Sequence, residues 1–248
     1  MKRILISLSA LLLSGAAVAA GGGPLPYSFE PDVTNLPSVQ RGARNYMAYC
    51  SACHSMNLLR YSRIGEDLGI PEDILKANLM FTSDKPGDTI SAAMPAESAT
   101  WFGRQPPDLT VSSRARGPSW VYSYLMTFYL DPSRPAGVNN LVLAGASMPH
   151  VLWELQGWQT KGDDAHHAED EGHGGGHGPD TGLTLVQEGT LSPEEYEAFV
   201  ADTVNFMAYA AEPGRAGRVG LGMKVMLFLL VFSTLAYMLK KEFWKDVH

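Results

Sequence analysis

The sequence predicts a mainly α-helical domain outside the cytoplasm, with long loops between its helices and one transmembrane helix near its C-terminus. Three observations predict it. Apolar residues recur at helical spacing before residue 54 and again after Ser192, a proline-rich stretch that reads as loops lies between, and a long apolar run closes the chain.

At the start, Lys2 and Arg3 precede the apolar run Ile4 to Leu13, and small residues follow from Gly15 to Ala20. This is the pattern of a secretory signal over residues 1–20, cut near Ala19 or Ala20; a retained anchor would need a longer run. Residues 21–37 form a proline-rich arm. The spacing of Val39, Ala43, Tyr46, Met47 and Cys50 predicts a helix over 38–53, with Ser38 as its cap. Pro71-Glu72-Asp73 opens a short helix over 71–80, and residues 84–118 read as loops. Ser119 to Tyr129 is rich in aromatics and predicts a helix with Trp120, Tyr124 and Phe128 on one face. Ser192-Pro193-Glu194-Glu195 is a capping box with proline at the first helical position, and Tyr196, Phe199, Val200, Thr203, Val204, Met207 and Ala210 continue it as one stripe.

Residues 215–239 read as an anchor. Val219 to Leu239 is 21 residues long with a single charge, Lys224, whose stem can reach the interface. Its length and basic flanks argue against a buried core helix. The signal places residues 21–214 in the periplasm and the tail 240–248 in the cytoplasm. That periplasmic portion holds 24 acidic against 11 basic residues, a net of −13. Such a domain favours cationic partners and excludes nucleic acid as one.

Only two cysteines occur, in Cys50-Ser51-Ala52-Cys53-His54. An exported pair can form a disulfide, a redox dithiol, a metal site or a haem attachment, and the histidine directly after the second cysteine decides among them. Two thiols one helical turn apart can add to the two haem vinyl groups, while the ring nitrogen just behind reaches the iron. A structural zinc site would need a second pair of ligands, and a thioredoxin-like motif would follow a strand rather than end a helical segment. One motif means one covalently bound haem c and the fold of a c-type cytochrome haem domain.

The residue on the other side of the iron is less plain. Of 11 methionines, Met94 and Met148 stand out because proline follows each and holds the loop extended. Met94 lies 40 residues after His54 and Met148 lies 94 after, so spacing leaves both open. The small residues Ala144-Gly145-Ala146-Ser147 favour Met148, since they let backbone approach a flat macrocycle. His150 is a third option and reads more simply as an exposed loop residue.

The order of motifs resembles the cytochrome c1 family of the ubiquinol–cytochrome c oxidoreductase (bc1) complex, in its bacterial form. The features are Arg41-Gly42 before the haem motif, Pro106-Pro107-Asp108-Leu109, Ala115-Arg116-Gly117, Tyr122 to Asp131-Pro132, Met148-Pro149, Ala210-Ala211-Glu212-Pro213, and Gly222-Met223-Lys224. The resemblance implies that Met148 is the axial ligand, that Pro106 and Pro107 line the haem, and that Arg116 pairs with a propionate; Arg104 and Arg114 are near enough to do the same. It also implies a non-catalytic electron-transfer subunit. Electrons would come from a Rieske iron–sulfur protein and leave to a soluble or tethered cytochrome c, with the anchor beside cytochrome b in a dimeric complex of the bacterial inner membrane.

The chain departs from mitochondrial members after Met148. Residues 163–180 hold six acids, four histidines and no basic residue, which predicts a solvated loop. Its histidines keep a periplasmic metal-binding protein as a rival reading, and Met94 keeps a free-standing anchored cytochrome c or an oxidase haem subunit as another.

Overall fold

A computed structural model describes residues 24–162 and 181–246. The predicted signal segment and the acidic 163–180 stretch lie outside the described residues. In chain order the elements are α1 (Leu36–Tyr49), β1 (Met56–Arg60), α2 (Tyr61–Leu68), α3 (Glu72–Asn78), β2 (Thr89–Ile90), α4 (Ser98–Phe102), α5 (Ser112–Arg116) and α6 (Pro118–Met126), then β3 (Phe128–Leu130), β4 (Val138–Asn140), α7 (Trp153–Gln156), β5 (Gly157–Lys161), β6 (Leu183–Glu188), α8 (Pro193–Ala211) and α9 (Arg215–Phe243).

The domain is built on the crossing of α1 and α8. Val39, Ala43 and Tyr46 of α1 are fully buried, as are Val200, Val204 and Phe206 of α8. The two backbones meet at Gly42, where an added Cβ would lie 1.9 Å from the Asp202 carbonyl oxygen. Only glycine permits that approach. Beside it, Arg41 binds both carboxylate oxygens of Asp202, Nε to Oδ2 at 2.6 Å and Nη2 to Oδ1 at 2.9 Å. Ser38 Oγ donates to the same carboxylate at 2.5 Å and accepts from Asn205 Nδ2 at 2.7 Å. Asp202 is therefore buried with a charged partner and a hydroxyl, the condition under which a carboxylate can leave water.

The N-terminus of α1 differs from the expected one. Asn35 caps it by accepting from the Ser38 backbone N–H, and Ser38 is already inside, turned to Asp202. The helix also stops at Tyr49, so the haem motif lies in the turn that follows. The capping box at Ser192 forms as read, with both reciprocal hydrogen bonds present. The short helix expected over 71–80 covers Glu72–Asn78, and the aromatic one covers Pro118–Met126, which leaves Phe128 on a strand. The proline-rich stretch contains the one-turn helices α4 and α5 between its loops.

Three antiparallel two-stranded ribbons join β1 to β2, β3 to β4 and β5 to β6. The arm before α1 is fixed to α6: Tyr27 N and Phe29 N donate to Ser123 Oγ and Ser119 Oγ, and Phe29 stacks on Tyr122 at 4.8 Å.

After Glu212-Pro213-Gly214 the chain enters α9, 29 residues with a mean hydropathy of 2.0 over its most apolar window. At about 1.5 Å per residue it is long enough to cross a bilayer. None of that window is buried, which excludes a core helix among the described residues. The helix outruns the apolar stretch read from sequence at both ends, from Arg215 to Phe243. Glu212 joins it to the domain through Arg218 and, at 4.0 Å, Arg114; Arg215 faces Glu30 at 3.7 Å.

Candidate functional site

A cavity of about 240 Å³ opens between the turn after α1, the proline-rich loops, α6 and the loop before α7. Cys50, Cys53 and His54 lie on one side and Met148 is also on the wall. Pro106, Pro107, Arg104 and Arg116 complete its polar and rigid parts, while Trp120, Tyr124, Leu125 and Leu143 make it predominantly apolar.

The proximal side is organised by backbone. Cys50 N donates to Tyr46 O at 2.8 Å, and Cys53 N and His54 N both donate to Cys50 O, at 3.1 and 2.9 Å. That turn brings the two thiols and the imidazole to one cavity. Tyr46 Oη donates to the His54 carbonyl at 2.9 Å, tying the motif to the fully buried tyrosine beneath it. His54 Nδ1 lies 2.8 Å from the Pro107 carbonyl oxygen. A carbonyl can only accept, so the assigned tautomer has Nδ1–H donating and leaves the Nε2 lone pair free to bind a metal. Burial lowers the pKa of His54 while the Pro107 carbonyl and Asp108 oppose it.

Pro107 is itself held. Leu109 N donates to Ser55 O at 2.8 Å, Asn57 N to Asp108 Oδ2 at 2.7 Å and Thr110 N to Asp108 Oδ1 at 2.9 Å. Asp108 thus fastens the proline pair to the strand that follows the haem motif.

As free thiols the two cysteines are poor redox centres. Burial, with the neighbouring Cys53, pushes the Cys50 thiol up to about 12, and burial raises Cys53 as well. A reactive dithiol needs the opposite shift.

The distal side is a loop. Asn140, buried, donates through Nδ2 to Tyr124 O at 2.8 Å and accepts through Oδ1 from Val142 N and Leu143 N at 2.9 and 3.2 Å. Asn139 Oδ1 accepts from Gly145 N at 2.8 Å, and Arg134 Nη2 donates to Gly145 O at 3.0 Å. Gly145 has φ +76°, so its glycine serves this turn. It is not on the cavity wall, contrary to the expectation that the small residues bring backbone against a macrocycle; Leu143 and Ser147 are the wall residues there. Met94 is not on the wall either.

The chain belongs to the cytochrome C1 family. It matches that family over residues 32–168 and 184–247. A cytochrome c1 from Allochromatium vinosum is 46% identical over 249 residues, covering 100% of both chains. The ammonia monooxygenase gamma subunit of Nitrosomonas europaea is 42% identical over 251 residues, again 100% of both. A cytochrome c1 from Rhodospirillum rubrum is 29% identical, covering 100% of this chain and 98% of that one. A chain of a solved structure titled "Hyperthermophilic respiratory Complex III" aligns with a TM-score of 0.46 and 16% identity, over 100% of this chain and 98% of that one.

Family membership makes the protein a membrane-anchored electron-transfer subunit of a complex III, with one covalent haem c, and not an enzyme by itself. The residues present fit that cofactor. The cavity wall offers two thiols, a neutral imidazole with a free nitrogen, a thioether and two guanidinium groups, in apolar surroundings.

Arg104 and Arg116 reach this wall, and Arg114 does not; it faces Glu212 at the root of α9. Arg116 lies over the Trp120 ring at 4.8 Å from its centroid. Of the expected aromatic face, Trp120 and Tyr124 line the cavity, and Phe128 turns away to His150. His150 corrects the reading of an exposed loop residue: it is 5% exposed, and burial lowers its pKa to about 4, against opposing effects of Gly157 and Gln156. It is not on the cavity wall. Sequence reasoning missed Tyr49, Phe102, Leu109, Leu143 and Val151 as wall residues. Tyr49 and Val151 had a signal in their place, the one next to Cys50 and the other two residues past Met148-Pro149.

Proposed function

We propose that the chain takes single electrons from a Rieske iron–sulfur protein and passes them to a periplasmic cytochrome c through a haem held by Cys50, Cys53, His54 and Met148. The observation that carries this reading is that His54 and Met148, 94 residues apart, line one apolar cavity together with both cysteines, while Met94 does not. When bound, the haem supplies a one-electron couple, and a methionine thioether opposite a histidine raises its potential.

The chain's own residues do the rest. Pro107 orients His54 through Nδ1 and keeps its second nitrogen available. Arg116 and Arg104 offer fork-shaped donors to propionates. Trp120, Tyr124 and Leu125 exclude water, which limits the reorganisation that accompanies each charge change. His54 and Met148 would each supply a ligand to the iron and so leave no site for a substrate, and the reading gives this chain no oxygenating role.

The signal over 1–20, the haem domain over 21–214 in the periplasm and the tail 240–248 in the cytoplasm complete the proposal, with the anchor beside cytochrome b in a dimeric complex. The histidines on which a metal-binding reading rests lie within 163–180, outside the described residues.

Replacing Met148 with leucine tests the ligand. The far-red sulfur-to-iron absorption band should vanish and the potential fall, with covalent haem retained. Survival of that band in the Met148→Leu protein and its loss in a Met94→Leu protein would reverse the assignment. Affinity capture through a tag on the C-terminal tail in mild detergent should bring down cytochrome b and a Rieske protein; capture of neither would leave a free-standing anchored cytochrome.

A further inference from the structure

We infer that His150 is a positioning residue: its buried ring, stacked on Phe128 and set against Trp158, holds the Met148–Pro149 turn to the cavity and thereby controls how firmly the thioether binds iron. This rests on the reading of Met148 as ligand.

Met148 and His150 are separated only by Pro149, whose ring fixes φ and which stiffens the residue before it. Displacement at one is transmitted to the other. Met148, Pro149 and Val151 lie on the cavity wall and His150 does not, so the turn presents the thioether to the cavity and the imidazole to the far side.

There the imidazole joins a row of rings. It lies parallel to Phe128 at 5.0 Å and 7°, and edge-on to Trp158 at 5.7 Å and 78°. Phe128 meets Tyr124 at 5.0 Å, and Tyr124 stacks on Trp120 at 5.1 Å; the last two are cavity wall. At the other end Trp158 stacks on Trp153 at 5.5 Å. The row thus starts at the cavity, passes behind the ligand turn, reaches the β5–β6 ribbon at Trp158 and ends on α7 at Trp153. Each pair has one of the offset or edge-to-face geometries that the ring quadrupole favours.

The ribbon is anchored well enough to act as a brace. Gln156 Nε2 and Gln159 Nε2 donate to the Met126 carbonyl at 2.9 and 3.2 Å, and Gln159 also to Phe128 O at 3.2 Å. Its base is packed backbone to backbone: a Cβ on Gly157 would lie 2.1 Å from Gln187 O, and one on Gly189 would lie 2.2 Å from Leu155 O. The buried Nε2 of the imidazole has no close partner among the described residues, although the Gly157 backbone and the Gln156 side chain lie near enough to favour the charged ring. The stacking itself uses a flat ring of fitting size.

The test uses the full membrane complex carrying His150→Ala, His150→Phe, Trp158→Ala or Met148→Leu. His150→Ala should keep its covalent haem, lose part or all of the far-red sulfur-to-iron band, and bind carbon monoxide when reduced. A tenfold loss of the thioether's preference for the reduced over the oxidised iron lowers the potential by about 59 mV, the one-electron equivalent. His150→Phe keeps the stacked ring and should stay within threefold of the parent in that preference. Trp158→Ala should shift in the same direction by less, and reports on the brace even where the alanine at 150 prevents haem attachment.

Wild-type band and potential in both His150→Ala and Trp158→Ala would overturn the inference. So would a His150→Phe protein as impaired as the alanine variant. Persistence of the band in Met148→Leu is a separate result: it removes the ligand assignment itself, whatever the His150 variants show.

Discussion

The two sides of the haem cavity are held by different means. On the His54 side the motif folds back on its own helix by backbone hydrogen bonds, and the proline pair, some 53 residues on, is fastened to it by one backbone hydrogen bond and the Asp108 carboxylate. On the Met148 side the loop is held by asparagine and arginine side chains and by a row of aromatic rings drawn from α6, β3, α7 and β5. Side-chain bracing from several elements is easier to loosen by single substitutions than a turn closed by its own backbone. With Met148 as the proposed ligand, the distal side is where substitutions should shift the potential without loss of the cofactor.

The largest expected effect breaks the proximal side outright. Cys53→Ser removes one of the two covalent attachments, and the reduced alkaline pyridine spectrum should move to that of a singly attached haem, with accumulation of the complex sharply reduced. No distal substitution should change that spectrum. A shift of it in the Asn140→Ala protein would erase the contrast between the two sides.

Below that stands the helix crossing that carries the proximal motif. Gly42→Ala drives a methyl into the Asp202 carbonyl, and overpacking of this kind costs about 1–3 kcal/mol. The upper end applies because the obstacle at 1.9 Å is backbone and not a movable side chain. Denaturant unfolding followed by haem absorbance should show the lower midpoint, while the far-red band of the folded fraction stays intact. Loss of the band at full stability would mean that α1 and α8 govern the distal ligand as well.

Asn140→Ala should do the reverse. It strips the buried partner from Tyr124 O, Val142 N and Leu143 N, and buried groups left unpaired cost about 1–3 kcal/mol. The loss falls on the loop that carries Met148, so a lowered potential and carbon monoxide binding should precede any loss of covalent haem. A destabilised Asn140→Ala protein of unchanged potential would show that the loop's polar side does not reach the ligand.

The same division explains what the sequence disclosed. Cys50, Cys53 and His54 are legible because their chemistry requires adjacency, and the two long helices because a buried stripe must repeat at helical spacing. Even there, Ser38 had the right composition for a cap and went to Asp202, because a buried carboxylate 164 residues away needed a donor. The distal side depends on contacts between distant segments, and local pattern carries almost no record of these. His150 beside a proline reads as loop surface until Phe128 and Trp158 are seen to cover it. The β5–β6 ribbon was hidden because its strands flank the acidic 163–180 stretch, whose composition dominates any window that includes them. Spacing left Met148 and Met94 equally placed, and only the small residues before Met148 and the family resemblance set it ahead as the proposed ligand.

The smallest expected effect concerns acid. Asp131 accepts from the Ser133 hydroxyl at 2.5 Å and from Asn139 Nδ2 at 2.8 Å, and these bonds, the Ser133 one foremost, hold its carboxyl below the ordinary value of 3.8. A carboxylate with a lowered pKa adds stability that is present above its unfolded value and is lost as pH falls through its folded one. The loss therefore belongs below about pH 4, near the ordinary aspartate range. It would release Asn139, whose side-chain oxygen holds Gly145 N in the distal loop. Acid should thus weaken the far-red band before it frees any haem. Asp131 is only partly buried, so the effect is modest, and Asp131→Asn should flatten the difference in band intensity between neutral and acidic buffer. An unaltered acid profile in that variant would place the sensitive carboxylate elsewhere and leave the asparagines to hold the loop without it.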